Sequence, residues 1–465
     1  MKKTTENWEK EICGKRVAVL GMGVSNTPVI DMLLRCGAIV TVYDKKNREK
    51  LGVSADKLEA LGVRFILGDS YLDQIHADII FRSPGIRPDV PSIQKAISEG
   101  AKLTSEMEEF FDLCPCKIIA VTGSDGKTTT TTLISEFLKA EGYTVHLGGN
   151  IGKPLLPEVD TISEKDYAVV ELSSFQLQTM KKSPNIAVIT NVTPNHLNWH
   201  TDMEEYIQAK LNILKYQSAD SRAVLNDENS VTHNAQSLVR GECFCFNAKN
   251  GIQNAEEKKS VLKVFEKEGQ IYVGDTPVLK CSTIRIPGHH NVENYMAAIA
   301  ATWGLISIEN IQKVAAEFGG VEHRIEFVRE LDGVKYYNSS IDSSPTRTIA
   351  ALNAFSQKLI VLTGGYDKKI PYEPIGTPLC EKAKIVIYTG ATGEKIRSAI
   401  TQSPLYQEGN PNLIAADDYG QAVSIAYKMA QKGDIVLLSP ASASFDAFVN
   451  FEERGRFFKK KVMEL

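Results

Sequence analysis

The stretch KIIAVTGSDGKTTTTTLISEFLKA, residues 117–140, constrains the fold more than any other part of the chain. An apolar run of strand character enters Gly-Ser-Asp-Gly-Lys-Thr directly, and a helical pattern follows without a break. Gly123 and Gly126 let the backbone turn tightly, so that the loop amides of Ser124 and Asp125 and the helix N-terminus can surround one anionic group. Lys127 suits β- and γ-phosphates, and the Thr128 hydroxyl suits magnesium, which favours oxygen ligands shared with phosphate. Two residues separate the glycines where the usual phosphate loop has four, so this is a shorter variant. The competing reading is an ordinary β–α turn that contains Gly-Lys-Thr without using it.

Similar strand-to-helix patterns precede and follow this one. RVAVL leads through GMGVSN into TPVIDMLLRCG, with Thr27 and Pro28 read as N-cap and first helical residue, and IVTVYD, RFILG and DIIFRSPG add further apolar runs. Beyond the phosphate loop come the strands YAVVEL and IAVITNV, the helical MEEYIQAKLNILKYQ, hairpin patterns from Val261 to Ile286 and the helix NYMAAIAATWGL. After FGGVEHRIEFV, the runs KLIVLTGG, KIVIYTG and DIVLLSP each end in turn residues. At roughly 150 residues per domain, 465 residues predict three domains. The expected fold is α/β: an N-terminal Rossmann-like domain (1–110), a central P-loop ATPase-like parallel sheet (111–320) and a C-terminal Rossmann-like domain (321–465).

Lys plus Arg total 53 against 57 Asp plus Glu, a net charge of −4, so no broad basic face for nucleic acid is expected. No window approaches the 18 or so apolar residues of a membrane span. The opening MKKTTENWEKEICGKR lacks the apolar core of a secretory signal, which predicts a cytoplasmic protein with no membrane association. Eight cysteines are too sparse for a disulfide framework, and the C-x-C pairs Cys114/Cys116 and Cys243/Cys245 have no companions at zinc-site spacing.

Other residues carry weaker signals. Gly21-x-Gly23 follows a strand, but Asn26 stands where a dinucleotide fingerprint has its third glycine; Asp44 ends the next strand, 21 residues after Gly23, like a ribose-binding acid. A nicotinamide cofactor or another nucleotide diphosphate could use this loop. Glu171 ends AVVE and His196 follows another strand, so both fall at the sheet edge where open α/β folds bind ligands. Taken singly, each is read as structural. Lys210, on the amphipathic YIQAKLNILKY, reads locally as a solvated helix lysine.

Taken together, VTGSDGKTTT, ELSSFQL, NVTPNHL, GHHNVEN, HRIE and LLSPASASFDAF resemble the Mur ligase family, amide-forming enzymes of peptidoglycan precursor synthesis, across nearly the whole chain. GMGVSN, SPGI and LSPASASFDAFVNFEERG resemble its D-glutamate-adding branch, and the D-N-P-R segment of the diaminopimelate- or lysine-adding relatives is absent. The resemblance implies ATP-dependent ligation of D-glutamate to UDP-N-acetylmuramoyl-L-alanine through an acyl phosphate, by a monomer acting on small molecules. It implies ATP contacts from the 123–129 loop including Thr129, from Asn291 and Asn294, from Arg324 and from Ser339. Two magnesium ions are implied, held by Thr128, Glu171, His196 and Lys210, the last as a carbamate formed with CO₂; Lys127, Glu171, His196 and Lys210 are thereby the catalytic set. Gly21, Gly23, Val24, Ser25, Asn26, Asp44, Lys45, Ser83, Pro84, Gly85, Asn150 and His196 are implied around the UDP-sugar, and Ser343, Lys368, Ser444 and the Phe451 amide around D-glutamate. Without the resemblance, Ser444 reads as a helix N-cap.

Two departures stand out. Asn338-Ser339-Ser340 replaces the N-D-S of many relatives, removing an acid implied at the ATP ribose, so Ser339→Asp is expected to tighten ATP binding unless Asp342 or another neighbour already serves. Asn198 stands where relatives often carry Asp. The competing functions are another amino-acid-adding or folylpolyglutamate-type ligase, a nicotinamide oxidoreductase, and a non-catalytic UDP-sugar binder.

Overall fold

The computed structural model describes residues 4–23, 25–197, 199–248 and 261–465; Val24 and Asn198 lie outside them. Internal contacts group the chain into two compact units, Met1–Cys281 with Glu293–Val314, and Ser282–Val292 with Ala315–Leu465.

The first unit holds two sheets. Strands β1 (Arg16–Leu20), β2 (Ile39–Asp44), β3 (Arg64–Leu67), β4 (Ile79–Arg82) and β5 (Lys102–Thr104) pair in parallel in the order β3-β2-β1-β4-β5. Their runs of Val, Ile and Leu suit strands covered on both faces. The chain leaves β1 toward β2 and β3, then returns on the other side through β4, which opens a crevice beyond the carboxyl ends of β1 and β4. The helix after β1 begins at Asn26 with Ser25 at its cap, earlier than the Thr27–Pro28 start expected from the sequence. Asn26 sets that start by donating Nδ2 to the carbonyls of Leu20 (3.2 Å) and Gly21 (3.0 Å), while Thr27 Oγ1 bonds Gly23 O at 3.0 Å. Pro28 is tolerated in this first turn because amides there lack helical acceptors.

Strands β6 (Lys117–Thr122), β7 (Val145–Gly149), β8 (Tyr167–Glu171), β9 (Ile186–Ile189), β10 (Arg222–Asn226), β11 (Glu242–Phe246), β12 (Val261–Lys267), β13 (Gln270–Val273) and β14 (Thr276–Lys280) form the second sheet. Its order is β14-β13-β12-β11-β10-β9-β6-β8-β7, with antiparallel pairing confined to the β12-β13-β14 edge that the sequence reads as hairpins. One apolar core runs from Trp8 and Val17 through Phe110 and Leu155 to Leu225, joining the two sheets. The C-x-C thiols lie within it, with Sγ–Sγ separations of 3.5 Å for Cys114/Cys116 and 4.0 Å for Cys243/Cys245.

In the second unit, β15 (Glu326–Leu331), β16 (Val334–Asn338), β17 (Leu359–Gly364), β18 (Ala383–Thr389), β19 (Asn412–Ala415) and β20 (Ile435–Leu438) take the order β15-β16-β20-β17-β18-β19, parallel except for β15-β16. The loops that leave β16, β20 and β17 therefore emerge side by side. Among the described residues no helix is long and apolar enough to cross a membrane.

The join between the first unit's sheets has a polar rivet: Trp8 Nε1 donates to Glu109 Oε2 at 2.7 Å, and the buried Glu109 also accepts from Lys102 and from Thr104 Oγ1. Trp8→Phe keeps the packing and removes one donor from a buried carboxylate, so urea denaturation should register a loss of about 1–3 kcal/mol.

Candidate active site

Strand β6 lies between β8 and β9, with Val121 opposite Glu171 and Thr122 opposite Ile189. Parallel pairing thus delivers the 123–126 loop, Glu171 and the segment leading to His196 to one edge. The loop tolerates no larger residue at either glycine. A Cβ on Gly123 would collide with Thr190 Oγ1, and one on Gly126, whose φ is 78°, with Asn294 Oδ1. The turn is further fixed by bonds from Ser124 N to Asn191 O (2.9 Å), Asp125 N to Asn191 Oδ1 (2.9 Å) and Ser124 Oγ to Thr193 O (2.9 Å). Lys127 Nζ folds back onto the carbonyls of Gly123 (3.0 Å) and Ser124 (2.8 Å), the contacts an anion in the loop would replace. Thr129, on the same first helical turn, is buried.

Glu171 is 1% exposed, and each of its carboxylate oxygens is addressed by one side chain: Thr128 Oγ1 at 2.7 Å and Asn150 Nδ2 at 2.7 Å. This cluster of oxygens beside a phosphate loop fits magnesium, which is usually held by one or two carboxylates and shared phosphates. It also joins Asn150, expected near the sugar, to Glu171, expected at the metal. His196 adopts a positive φ of 55° and its ring lies edge-on to Phe175. Desolvation, then the charges of Lys127 and Lys210, lower its pKa and favour the neutral imidazole.

Lys210 is not the solvated helix lysine that the local pattern suggests. It is 2% exposed, its Nζ donates to Gly123 O at 2.7 Å, and it lies 4.8 Å from the ring centre of Tyr206, one turn earlier on the same helix face. The amphipathic pattern is real, but the polar position faces the phosphate loop instead of water. Burial, reinforced by the charge of Lys127, pushes its pKa down to about 7. Tyr206 OH in turn bonds Ser124 Oγ at 2.8 Å, a loop contact that the sequence reading missed although the i, i+4 spacing to Lys210 could have signalled it.

At the crevice of the first sheet, Asp44 receives Met22 N at 2.7 Å and Lys46 N at 2.8 Å, so both its oxygens already hold backbone amides. Gly21 N bonds Tyr43 O and Ser83 N bonds Leu20 O, which brings the Gly21–Asn26 and Ser83-Pro84-Gly85 loops together; Gly23 and Lys45 are exposed there. Two arginines that sequence reasoning missed tie this crevice to the second sheet. Arg82 is 1% exposed and donates to Ile86 O (2.6 Å) and Pro84 O (3.2 Å) on one side, and to Phe175 O and Thr179 Oγ1 (both 3.1 Å) on the other. Arg87 bonds Trp199 O and Glu205, while Trp199 Nε1 reaches Gly85 O at 3.3 Å. The signal for Arg82 was a charge at the end of an otherwise apolar strand.

In the second unit, Lys368 Nζ lies 3.3 Å from both O and Oγ of Ser343. Ser444 is 2% exposed and caps no helix: the nearest one, Phe451–Met463, takes Asn450 as N-cap, and Ser444 O closes a turn by accepting from Ala447 and Phe448. Phe451 is the first helical residue, so its N–H points out of the helix N-terminus. Arg324 is exposed on a loop whose flanking His323 and Ile325 have φ of 66° and 44°. Asn291 Nδ2 bonds Pro287 O at 2.6 Å in this unit; in the first, Asn294 Oδ1 accepts from Thr130 Oγ1 at 3.3 Å.

Ser339 is fully enclosed and accepts from Ile325 N at 3.2 Å, with Asp342, itself 5% exposed, hydrogen-bonded beside it and to Ser439 Oγ at 2.8 Å. This reverses the expectation for Ser339→Asp: a second carboxylate there meets Asp342 without water, so thermal denaturation should show a lower melting temperature and nucleotide titration no tighter binding. For Lys210, the folded pKa near 7 lies below the unfolded value of 10.5, so the unfolded chain binds more protons between those limits. Wild-type stability should rise with pH across that window relative to Lys210→Met; denaturant curves at pH 7 and pH 9 measure the difference, and parallel curves would contradict it.

Residues 15–105, 121–302 and 323–442 match, in turn, the families described as Mur ligase MurD-like N-terminal domain, Mur ligase middle domain and Mur ligase glutamate ligase domain. The UDP-N-acetylmuramoylalanine--D-glutamate ligase of Acetivibrio thermocellus is 49% identical over 460 residues, 98% of each chain. That of Clostridium perfringens is 46% identical over 463 residues, 99% of each. The solved UDP-N-acetylmuramate-alanine ligase MurC of Thermotoga maritima, at 18% identity, shares the fold with a TM-score of 0.54 over 97% of this chain and 99% of that one. With all three domain families matched in order and relatives near half identical from end to end, the chain belongs to the Mur ligase family.

Proposed function

We propose that this chain is an ADP-forming ligase that joins D-glutamate to UDP-N-acetylmuramoyl-L-alanine in cytoplasmic peptidoglycan precursor synthesis. The observation that carries the reading is the convergence of the phosphate loop, the Thr128–Glu171 pair and the buried Lys210 at neighbouring strand ends. The names of the full-length relatives narrow the substrates. Residues 1–110 would bind the UDP-sugar, 111–320 ATP, and 321–465 the amino acid.

The chemistry follows from the groups present. A substrate carboxylate oxygen attacks the γ-phosphorus of ATP, the bond to the β,γ-bridging oxygen breaks, and ADP leaves an acyl phosphate. The amine of D-glutamate then attacks the acyl carbon, loses a proton, and expels phosphate as the amide forms. Lys127 exchanges its two carbonyl partners for phosphate oxygens and follows the charge as it moves to the leaving group. Magnesium, held by Thr128 and Glu171 with His196 at a second position, would neutralise phosphate charge. Lys210, with its pKa near 7, can present the neutral amine that attacks CO₂; an N–C bond forms, a proton leaves, and the cation becomes an anionic carbamate able to hold that metal. Arg324 would contact phosphate, and Asn291 and Asn294 the adenine side. Ser343, Lys368, Ser444 and the Phe451 amide supply donors for the two carboxylates of D-glutamate. Asp44, with both oxygens engaged by backbone amides, suits a loop-bracing role beside UDP better than a nicotinamide ribose contact.

Phosphate release with UDP-N-acetylmuramoyl-L-alanine and ATP should be strong with D-glutamate and near background with L-glutamate, diaminopimelate or L-lysine. Equal turnover with another of these amino acids would reject the assignment. Lys210→Ala should nearly abolish release; full activity of that variant at low bicarbonate would remove the carbamate.

A further inference from the structure

Arg454 is fully enclosed, yet every group it bonds is neutral. Its Nε donates to Ser340 Oγ at 3.0 Å and Nη2 to Ser340 O at 2.8 Å, while Nη1 donates to Ser442 O at 3.1 Å and Ala443 O at 3.0 Å. Ser340 Oγ then donates to Phe451 O at 2.8 Å, returning the network to the helix that carries Arg454. The loop after β17 closes over the same point: Tyr366 N bonds Ala443 O at 2.9 Å, and a Cβ on Gly365 would stand 3.2 Å from Arg454 Nη1. One guanidinium thus gathers the segments after β16, β20 and β17 with the start of the last helix. Those segments carry Ser343, Ser444, Lys368 and Phe451, all four residues assigned above to the amino acid.

The charge balance is equally uneven. Among the described residues no carboxylate lies within ion-pair distance of Arg454, and a guanidinium without water or a counter-anion is costly to retain. Asp367, on the loop closing over it, pairs with Lys395 at 2.6 Å instead. The field of Arg454 reaches the site, since burial and the charges of Arg347 and Arg454 depress the pKa of Lys368. Of the other acids facing this region, Asp342 is hydrogen-bonded to Ser439 and Asp446 lies toward Tyr419 and Gly390.

We infer that Arg454 is a positioning residue that assembles the amino-acid pocket from four segments, and that its unneutralised charge makes the pocket select an amino acid bearing a second carboxylate. This rests on the proposed ligation of D-glutamate and extends it to the basis of selectivity. The test compares KM for D-glutamate, ATP and the UDP-sugar in wild type, Arg454→Met, Arg454→Lys and Ser340→Ala, with D-glutamine as neutral competitor. Arg454→Met should raise KM for D-glutamate about tenfold or more, leave the other two within about twofold, and shrink the preference for D-glutamate over D-glutamine by a similar factor. Arg454→Lys should restore that preference while recovering KM only in part, because an ammonium lacks the fork. Should Arg454→Met fail to fold, Ser340→Ala decides: it removes only the hydroxyl link to Phe451 and should raise KM for D-glutamate about threefold with an unchanged melting temperature. A folded variant with unaltered KM for D-glutamate, or one in which all three KM values rise together, overturns the inference. Wild type that ignores D-glutamate and uses another amino acid would overturn the ligation reading first, and the selectivity argument with it.

Discussion

Strand β6 is hydrogen-bonded in parallel on both sides, to β8 and β9, and the chemistry of the first unit hangs on that pairing. Parallel neighbours must release their chains at the same sheet edge, so a phosphate loop, an acid and a histidine drawn from segments far apart in sequence arrive together without any direct contact having to recruit them. The same geometry recurs twice. The crevice of the first sheet collects the loops after β1 and β4, and the second unit collects those after β16, β20 and β17. Three sheets thus gather their loops by three applications of one rule.

Electrostatics then decide what these edges can hold. The chain as a whole carries −4, yet Lys127, Lys210, Lys368 and Arg454 all donate to backbone carbonyls or hydroxyls at these edges. Helix N-termini add partial positive charge at the same edges. Sites built in this way suit anionic ligands, and the lowered pKa of Lys210 reflects first its burial and then the charge of Lys127.

Much of this was legible in the sequence because it is local. The glycine loop between an apolar run and a helix, and the turn residues ending each later apolar run, fixed the strand ends, and hence Glu171 and His196. What was illegible depended on packing between distant segments. Lys210 looked solvated because a helix pattern reveals that a face is polar but not what covers it. Arg82 and Arg454 each bond several backbone carbonyls from separate loops, a role no spacing betrays. Ser444 illustrates the converse: a serine before an apolar pattern resembles a cap, but Asn450 holds that position because the loop extends further before the helix begins.

If the loop between β6 and its helix acts as proposed, an oxygen of the substrate carboxylate must end on phosphate. UDP-N-acetylmuramoyl-L-alanine labelled with ¹⁸O in its alanine carboxylate, incubated with ATP, magnesium and D-glutamate, should yield inorganic phosphate carrying one labelled oxygen per amide formed. Amide formation with unlabelled phosphate would contradict carboxylate activation by phosphoryl transfer, and with it the role assigned to the loop between β6 and its helix.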